Sequence, residues 1–132
     1  MTIDRSSIDA LLETSKEDYE RYSKENDSKK CEAYLKDAAE KLYAVTENLA
    51  ELKTDKEVKD ITSFNKAYRE ANLNISEYEK RELKRWINEL HAFARRGIYE
   101  PWAIDEIETI YQDALEKIES VLKRSTEKRV RV

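Results

Sequence analysis

One segment of the chain combines side chains that could act on a phosphate group. Arg85 and His91 are separated by five residues within a basic zone, residues 80–96, that holds six Lys/Arg and two Glu. Histidine gains and loses a proton near neutral pH, whereas arginine stays charged and can hold a phosphate through two hydrogen bonds. Such a pair could cleave RNA without a metal, with His91 acting on the 2′-hydroxyl or the leaving oxygen and Arg85 stabilising the transition state. The other cations of the zone are predicted to contact nucleic acid: Lys80, Arg81, Lys84, Arg95 and Arg96.

The geometry of a single helix keeps the two candidate catalytic groups apart. At about 100° per residue, Arg85 lies opposite the apolar stripe, and about 120° separates it from His91, which borders the stripe. Two copies of the helix related by a two-fold axis could bring one arginine and one histidine to the same substrate. In the alternative interpretation, Arg85 is a solvated surface residue, His91 borders the core, and the protein is a non-catalytic interaction or oligomerisation module.

Composition excludes several other kinds of site. One Cys and one His cannot assemble a Cys/His zinc site, and a di-iron site needs two inward-facing Glu-x-x-His pairs. A Gly-rich phosphate loop cannot be built with a single glycine. We therefore predict no metal and no cofactor. The single cysteine cannot form an intrachain disulfide, which fits a reducing compartment.

The charge of the chain is unevenly distributed. The net charge is −4, but residues 80–96 and residues 123–132 each carry +4, so the other 105 residues carry −12. An acidic body with two basic zones favours local binding of an anion over general binding of nucleic acid. No run approaches the roughly 20 apolar residues of a membrane span, and the N-terminus lacks a signal-peptide pattern. These features predict a cytoplasmic protein without membrane contact.

The elements that position these residues are predicted to be helices. The chain has one Gly and one Pro, whereas all-β folds need many Gly- and Pro-dependent turns. The apolar positions of the second helix alternate in steps of four and three, which is a period of 3.5 and requires partner helices. We predict an all-α, up-and-down bundle of four to five helices, with one domain at residues 1–124 and a basic flexible tail at residues 125–132. The alternating positions are Cys31, Leu35, Ala38, Leu42, Val45, Leu49 and Leu52.

Short polar residues and capping patterns predict the ends of the helices. Ser6 or Ser7 is expected to begin the first helix, and the polar segment at residues 25–28 is expected to break or kink the chain before the second. Two capping boxes, Thr54 with Glu57 and Ser76 with Glu79, are expected to open the third and fourth helices. Gly97 is expected to end the fourth helix with a positive φ. Pro101 suits the first turn of the fifth, and Tyr99 and Trp102 are expected to pin the loop between them.

Two stretches of the chain resemble the HEPN superfamily of small helical-bundle proteins. The first begins at Ala38, continues through Tyr43 to Leu52, and is similar to the long second core helix of that family. The second begins at Arg85, passes His91 and Trp102, and ends with the last helix near Leu122. Many members of the family share an arginine followed by a histidine a few residues later, which is the spacing of Arg85 and His91.

The resemblance implies a function and a partner. Family members with this motif are typically metal-independent ribonucleases, often toxins, that work as homodimers with the motif at the dimer interface. Others bind nucleotides or serve in assembly without activity. By resemblance, we therefore expect Arg85 and His91 to be catalytic, RNA or a nucleotide to be the ligand, and a second copy or another protein to be the partner.

Overall fold

The chain folds into a bundle of antiparallel helices. The computed structural model describes residues 4–97 and 103–130, with side chains described as far as residue 124. The helices are α1 (Arg5–Lys24), α2 (Ser28–Thr54), α3 (Ile61–Glu70), α4 (Glu77–Arg96) and α5 (Ala103–Val130). The described residues include no strand, and the predicted all-α bundle is confirmed.

Four long helices form the bundle, and α3 is a short link between two of them. Helices α2 and α4 are antiparallel, because Gly97 at the end of α4 lies beside Lys36 near the start of α2. Helices α4 and α5 are also antiparallel, since Lys117 in the second half of α5 contacts Glu79 in the first turn of α4. Helix α4 therefore lies between α2 and α5, and its two flanks face different neighbours.

The first helix begins earlier than predicted. Asp4, rather than Ser6 or Ser7, caps α1, and its Oδ1 accepts a hydrogen bond from the backbone N–H of Ser7 at 2.8 Å. Aspartate is as good an N-cap as serine, so the preference for serine could not fix this start. The predicted break before α2 is confirmed, and Asp27 caps that helix by accepting from the N–H groups of Lys29 and Lys30.

One of the two predicted capping boxes is wrong. Helix α2 continues through Thr54, whose hydroxyl donates back to the carbonyl of Ala50 at 2.8 Å, and it ends at Asp55 in the left-handed region. Helix α3 is opened instead by Asp60, paired with Ser63 in a box of its own. The box of Ser76 and Glu79 is confirmed, as is the positive φ of Gly97 at 83°.

The core contains most of the predicted apolar seam of α2. Its five central positions are almost completely buried, whereas Cys31 and Leu52 at its two ends are only half-buried. Helix α5 continues to Val130, past the start of the predicted tail at residue 125. The predictions for Tyr99, Pro101 and Trp102 fall outside the described residues, as do residues 131–132 of the tail. The buried positions of the seam are Leu35, Ala38, Leu42, Val45 and Leu49.

Candidate functional site

His91 is held in a fixed orientation between α2 and α4. Its Nδ1 atom lies 3.3 Å from Oε2 of Glu40, and its ring stacks on Tyr43 with centroids 4.2 Å apart and an interplanar angle of 17°. The His91 side chain is 21% exposed, so it remains in contact with solvent. A carboxylate at Nδ1 and a ring against one face fix both the tautomer and the direction of an imidazole.

Further polar residues share the His91 side of α4. Lys84 and Asn88 precede His91 by seven and three residues, which places all three within about 60° around the helix. Nζ of Lys84 lies 2.6 Å from Oδ1 of Asn65 on α3 and 5.0 Å from the centroid of Phe64. Burial lowers the pKa of the Lys84 amine. We call Glu40, Tyr43, Lys84, Asn88 and His91 the His91 cluster.

Carboxylates on α2 give this cluster an acidic flank. Burial raises the pKa of Glu47, and the nearby charge of Glu40 raises it further. Burial, followed by the charges of Glu47 and Glu40, also raises the pKa of Tyr43 to about 12. An anion therefore meets repulsion on the α2 side of His91, and the favourable approach is along α4 toward its basic last turn.

That last turn supplies a cation beside His91. Arg95 follows His91 by four residues, which places it one turn further along the same side of the helix. Both Arg95 and Arg96 are exposed in the last turn of α4. A guanidinium at this position can reach an anion that also contacts His91.

Arg85 lies on the other flank of α4, toward α5. Its Nη2 and Nε atoms lie 2.7 and 2.8 Å from Oε2 of Glu82, and its Nη1 atom lies 3.7 Å from Glu89. The hydrogen bond with Glu82 raises the pKa of the guanidinium. Arg85 lines a groove of about 470 Å³ between α4 and α5, which we call the α4–α5 groove. Its lining residues are Arg85, Glu89, Asp105, Glu106, Thr109 and Ile110.

Within one chain, the two residues of the predicted catalytic pair therefore face different neighbours. His91 contacts α2, whereas Arg85 pairs with carboxylates of α4 beside α5. The angle of about 120° between Arg85 and His91 that helix geometry predicts agrees with this arrangement.

Lys80 is not part of the basic surface predicted from the sequence. Its side chain is buried, and Nζ donates to the carbonyls of Arg69 at 2.9 Å and Ala71 at 2.5 Å. The last carbonyls of a helix have no partner within the helix, so Lys80 satisfies acceptors at the end of α3. The neighbouring Arg81 is exposed, as predicted for a surface cation.

Sequence reasoning missed Glu40 and Tyr43 as neighbours of His91. Tyr43 widens the apolar seam of α2, as its spacing predicts, and is buried, whereas Glu40 lies beside the seam, where a glutamate is typical of a solvated border. Glu40, Tyr43 and Glu47 recur at helical spacing, which was the available signal. The spacing shows that they share a side of α2 but not which helix covers that side.

The comparisons leave the resemblance to the HEPN superfamily as a prediction. No protein-family model, curated protein or solved structure matches the chain. Within residues 4–97 and 103–130, no group of three or more His, Cys, Asp or Glu could hold a metal ion. In the same part of the chain, no helix has the length and apolar character needed to cross a membrane.

Proposed function

We propose that this protein is a cytoplasmic, HEPN-like bundle that binds RNA or a nucleotide by a phosphate group beside His91 and cleaves RNA without a metal. One observation carries the proposal: His91 is fixed by Glu40 at 3.3 Å and by the ring of Tyr43 at 4.2 Å while still 21% exposed. An imidazole oriented by a carboxylate is the arrangement used for general acid–base catalysis.

The chemistry follows from the tautomer that Glu40 favours. With the proton on Nδ1 and donated to Glu40, Nε2 carries a lone pair and can accept the proton of a ribose 2′-hydroxyl. The 2′-oxygen then forms a bond to phosphorus as the bond from phosphorus to the 5′-oxygen breaks. The leaving oxygen takes a proton from water, and the hydroxide so formed takes back the proton held by Nε2 of His91. The products are a 2′,3′-cyclic phosphate and a 5′-hydroxyl.

Arg95 is the better phosphate ligand within one chain. It lies one turn from His91 on the same side of α4, whereas Arg85 already contacts Glu82 and Glu89 on the other flank. The HEPN resemblance favours Arg85, which could reach the His91 of a second copy in a dimer. Substituting each arginine in turn therefore distinguishes a site within one chain from a site shared between two copies.

The test compares matched variants of α4 on RNA. Purified wild type, His91→Ala, Arg95→Ala and Arg85→Ala are incubated with a mixed RNA pool, with and without chelator. We expect wild-type cleavage that resists the chelator, and a loss of about 100-fold or more in His91→Ala because a general acid–base group is removed. We expect Arg95→Ala to weaken binding of a labelled oligonucleotide by about tenfold or more, and Arg85→Ala to leave it unchanged.

Each part of the proposal has its own contrary result. Absence of wild-type cleavage, or equal cleavage by His91→Ala, would overturn the ribonuclease. Loss of binding in Arg85→Ala rather than Arg95→Ala would show that the site is shared between copies. The HEPN resemblance also implies a toxin-type role. For that role we expect growth arrest on expression of the wild type and normal growth with His91→Ala.

The alternative function is a non-catalytic protein-interaction or oligomerisation module. It is favoured by the contacts of two residues predicted to act on RNA: Lys80, a predicted RNA contact, is buried against backbone carbonyls, and Arg85, a predicted catalytic residue, is paired with carboxylates at the surface. Under this alternative, the wild type neither binds nor cleaves RNA, and its partner is a second copy or another protein.

A further inference from the structure

The outward side of α5 carries opposite charges at its two ends. Residues 103–122 hold six Asp/Glu and one Lys, whereas residues 123–132 hold five Lys/Arg and one Glu. Glu106, Asp113 and Glu116 are exposed along the acidic part, and Lys123 and Arg124 are exposed where the basic part begins. Nη1 of Arg124 also donates to the carbonyl of Asn74 at 2.9 Å. No described helix covers these residues, so this side of α5 is an open, strongly polarised surface.

A groove marks the acidic end of this surface. The α4–α5 groove, of about 470 Å³, begins beside Asp105 and Glu106 and includes the side chain of Ile110. Arg85, the one cation among the described residues of its lining, already pairs with Glu82 and Glu89. The groove thus has uncompensated negative charge together with an apolar contact, and both features fit a lysine or arginine side chain, which combines a cation with an apolar stem.

We infer that a second copy of this chain docks on the α5 side, with the two α5 helices antiparallel and Lys123 and Arg124 of each against the α4–α5 groove of the other. A two-fold interface uses the same surface on both subunits, so that surface must be complementary to itself. Antiparallel pairing brings acidic and basic ends together twice, whereas parallel pairing would oppose like charges. Residues 106 and 124 are about 27 Å apart along a helix, which gives a paired stretch of about five turns.

The charges also argue against a polyanion on this surface. RNA would gain contacts at Lys123 and Arg124 but would meet Glu106, Asp113 and Glu116 along the rest of the helix. The α5 side is separate from the His91 cluster, which lies toward α2. This interface is therefore independent of an RNA site that His91 and Arg95 form within one chain.

The test is a charge swap read out by sedimentation equilibrium. At 50 mM salt and 100 µM protein, we expect a wild-type dimer whose dissociation constant rises as salt screens the surface charges. Lys123→Glu/Arg124→Glu lowers the net charge of residues 123–132 from +4 to 0, and Glu106→Lys/Asp113→Lys raises that of residues 103–122 from −5 to −1. Each variant alone should dimerise at least tenfold more weakly, and an equimolar mixture of the two should form a heterodimer.

A matched control separates interface charge from net charge. Lys29→Glu/Lys30→Glu changes the net charge as much as Lys123→Glu/Arg124→Glu does, but at exposed residues in the first turn of α2, and it should dimerise like the wild type. Circular dichroism verifies that every variant folds. If one of the two α5 variants does not fold, the other variant still tests the interface. A monomeric wild type under these conditions, a dimer indifferent to the α5 charges, or the absence of the heterodimer would overturn the inference. A wild type that remains monomeric but binds a basic peptide would assign the groove to another protein.

Discussion

Individual cations of the basic zone have very different surroundings. Lys80 is buried against backbone carbonyls, Lys84 is half-buried beside Phe64, and Arg85 is paired with Glu82. Of the six cations counted in the sequence, three are thus engaged within the protein. Arg81, Arg95 and Arg96 remain exposed, and the charge available to an external phosphate is smaller than the count suggests.

Glu47 should make the protein less stable as pH rises. Because burial raises its pKa above the ordinary value of 4.5, the folded state binds this proton more tightly than the unfolded state does. The stabilisation is complete below about pH 4.5 and is lost as pH rises through the pKa of the folded state. We expect Glu47→Gln to raise the urea midpoint at pH 7, with the difference from wild type vanishing toward pH 4.

The stability contributed by Glu79 should depend on pH in the opposite direction, so Glu79 serves as the control. The hydrogen bond from Lys117, followed by those from Ser76, lowers the pKa of Glu79 to about 2. Its contribution is present above the ordinary value of 4.5 and is lost as pH falls toward 2. Glu79→Gln should lower the urea midpoint at pH 7 and lose that effect at low pH. A shift of the urea midpoint in the same direction for Glu47→Gln and Glu79→Gln at pH 7 would contradict this account.

At the scale of elements, the caps decide where the chain turns. The predicted box of Thr54 and Glu57 fits the sequence rule, but Thr54 bonds to the carbonyl of Ala50 within α2 instead. Asp55 then turns the chain with φ at 57°, a conformation that aspartate tolerates better than most residues. The helix is thus extended past its predicted end, and Asp60 becomes the cap of α3.

Two substitutions distinguish these caps. Asp60 accepts from the N–H of Ser63 at 2.8 Å, so Asp60→Ala should lower the thermal midpoint by about 4 °C. Thr54→Ala should lower it by less than about 2 °C, because it removes one hydroxyl near a helix end but no N-cap. Calorimetry of both variants makes the comparison, and a larger effect for Thr54→Ala would favour the sequence-based boundary.

Over the whole molecule, Tyr111 joins α5 to the hairpin of α1 and α2. Its hydroxyl lies 2.8 Å from Oγ of Ser15, which in turn donates to the carbonyl of Ala38 at 2.7 Å. The ring of Tyr111 also stacks on Tyr19 with centroids 4.4 Å apart. Burial raises the pKa of Tyr111 to about 12, so the hydroxyl remains protonated and available as a donor.

A double-mutant cycle tests this connection. Ser15→Ala should destabilise the fold by about 1–3 kcal/mol, because it leaves the buried hydroxyl of Tyr111 without its partner. Tyr111→Phe should cost less, about 0.5–1.5 kcal/mol, because Ser15 still donates to the carbonyl of Ala38. The double variant should lose less than the sum, with a coupling of at least about 0.5 kcal/mol measured by urea unfolding. Additive losses would show that the two hydroxyls act independently.

The sequence by itself determined that the chain forms helices and which side of its helix each candidate residue occupies. The 3.5-residue period of α2, the cap at Ser76 and the turn at Gly97 depend on neighbours within a few positions, so local rules describe them well. The separation of Arg85 from His91 also followed from about 100° per residue.

Tertiary structure alone decided what those sides contact. Helical spacing does not reveal which helix covers a given side, so the partnership of His91 with Glu40 and Tyr43, and the burial of Lys80, could not be derived from it. These contacts join residues far apart in the chain, and their energies depend on packing that no local pattern records. The candidate site therefore retains His91 and Arg95 from the sequence but takes the contacts that orient His91 from the fold.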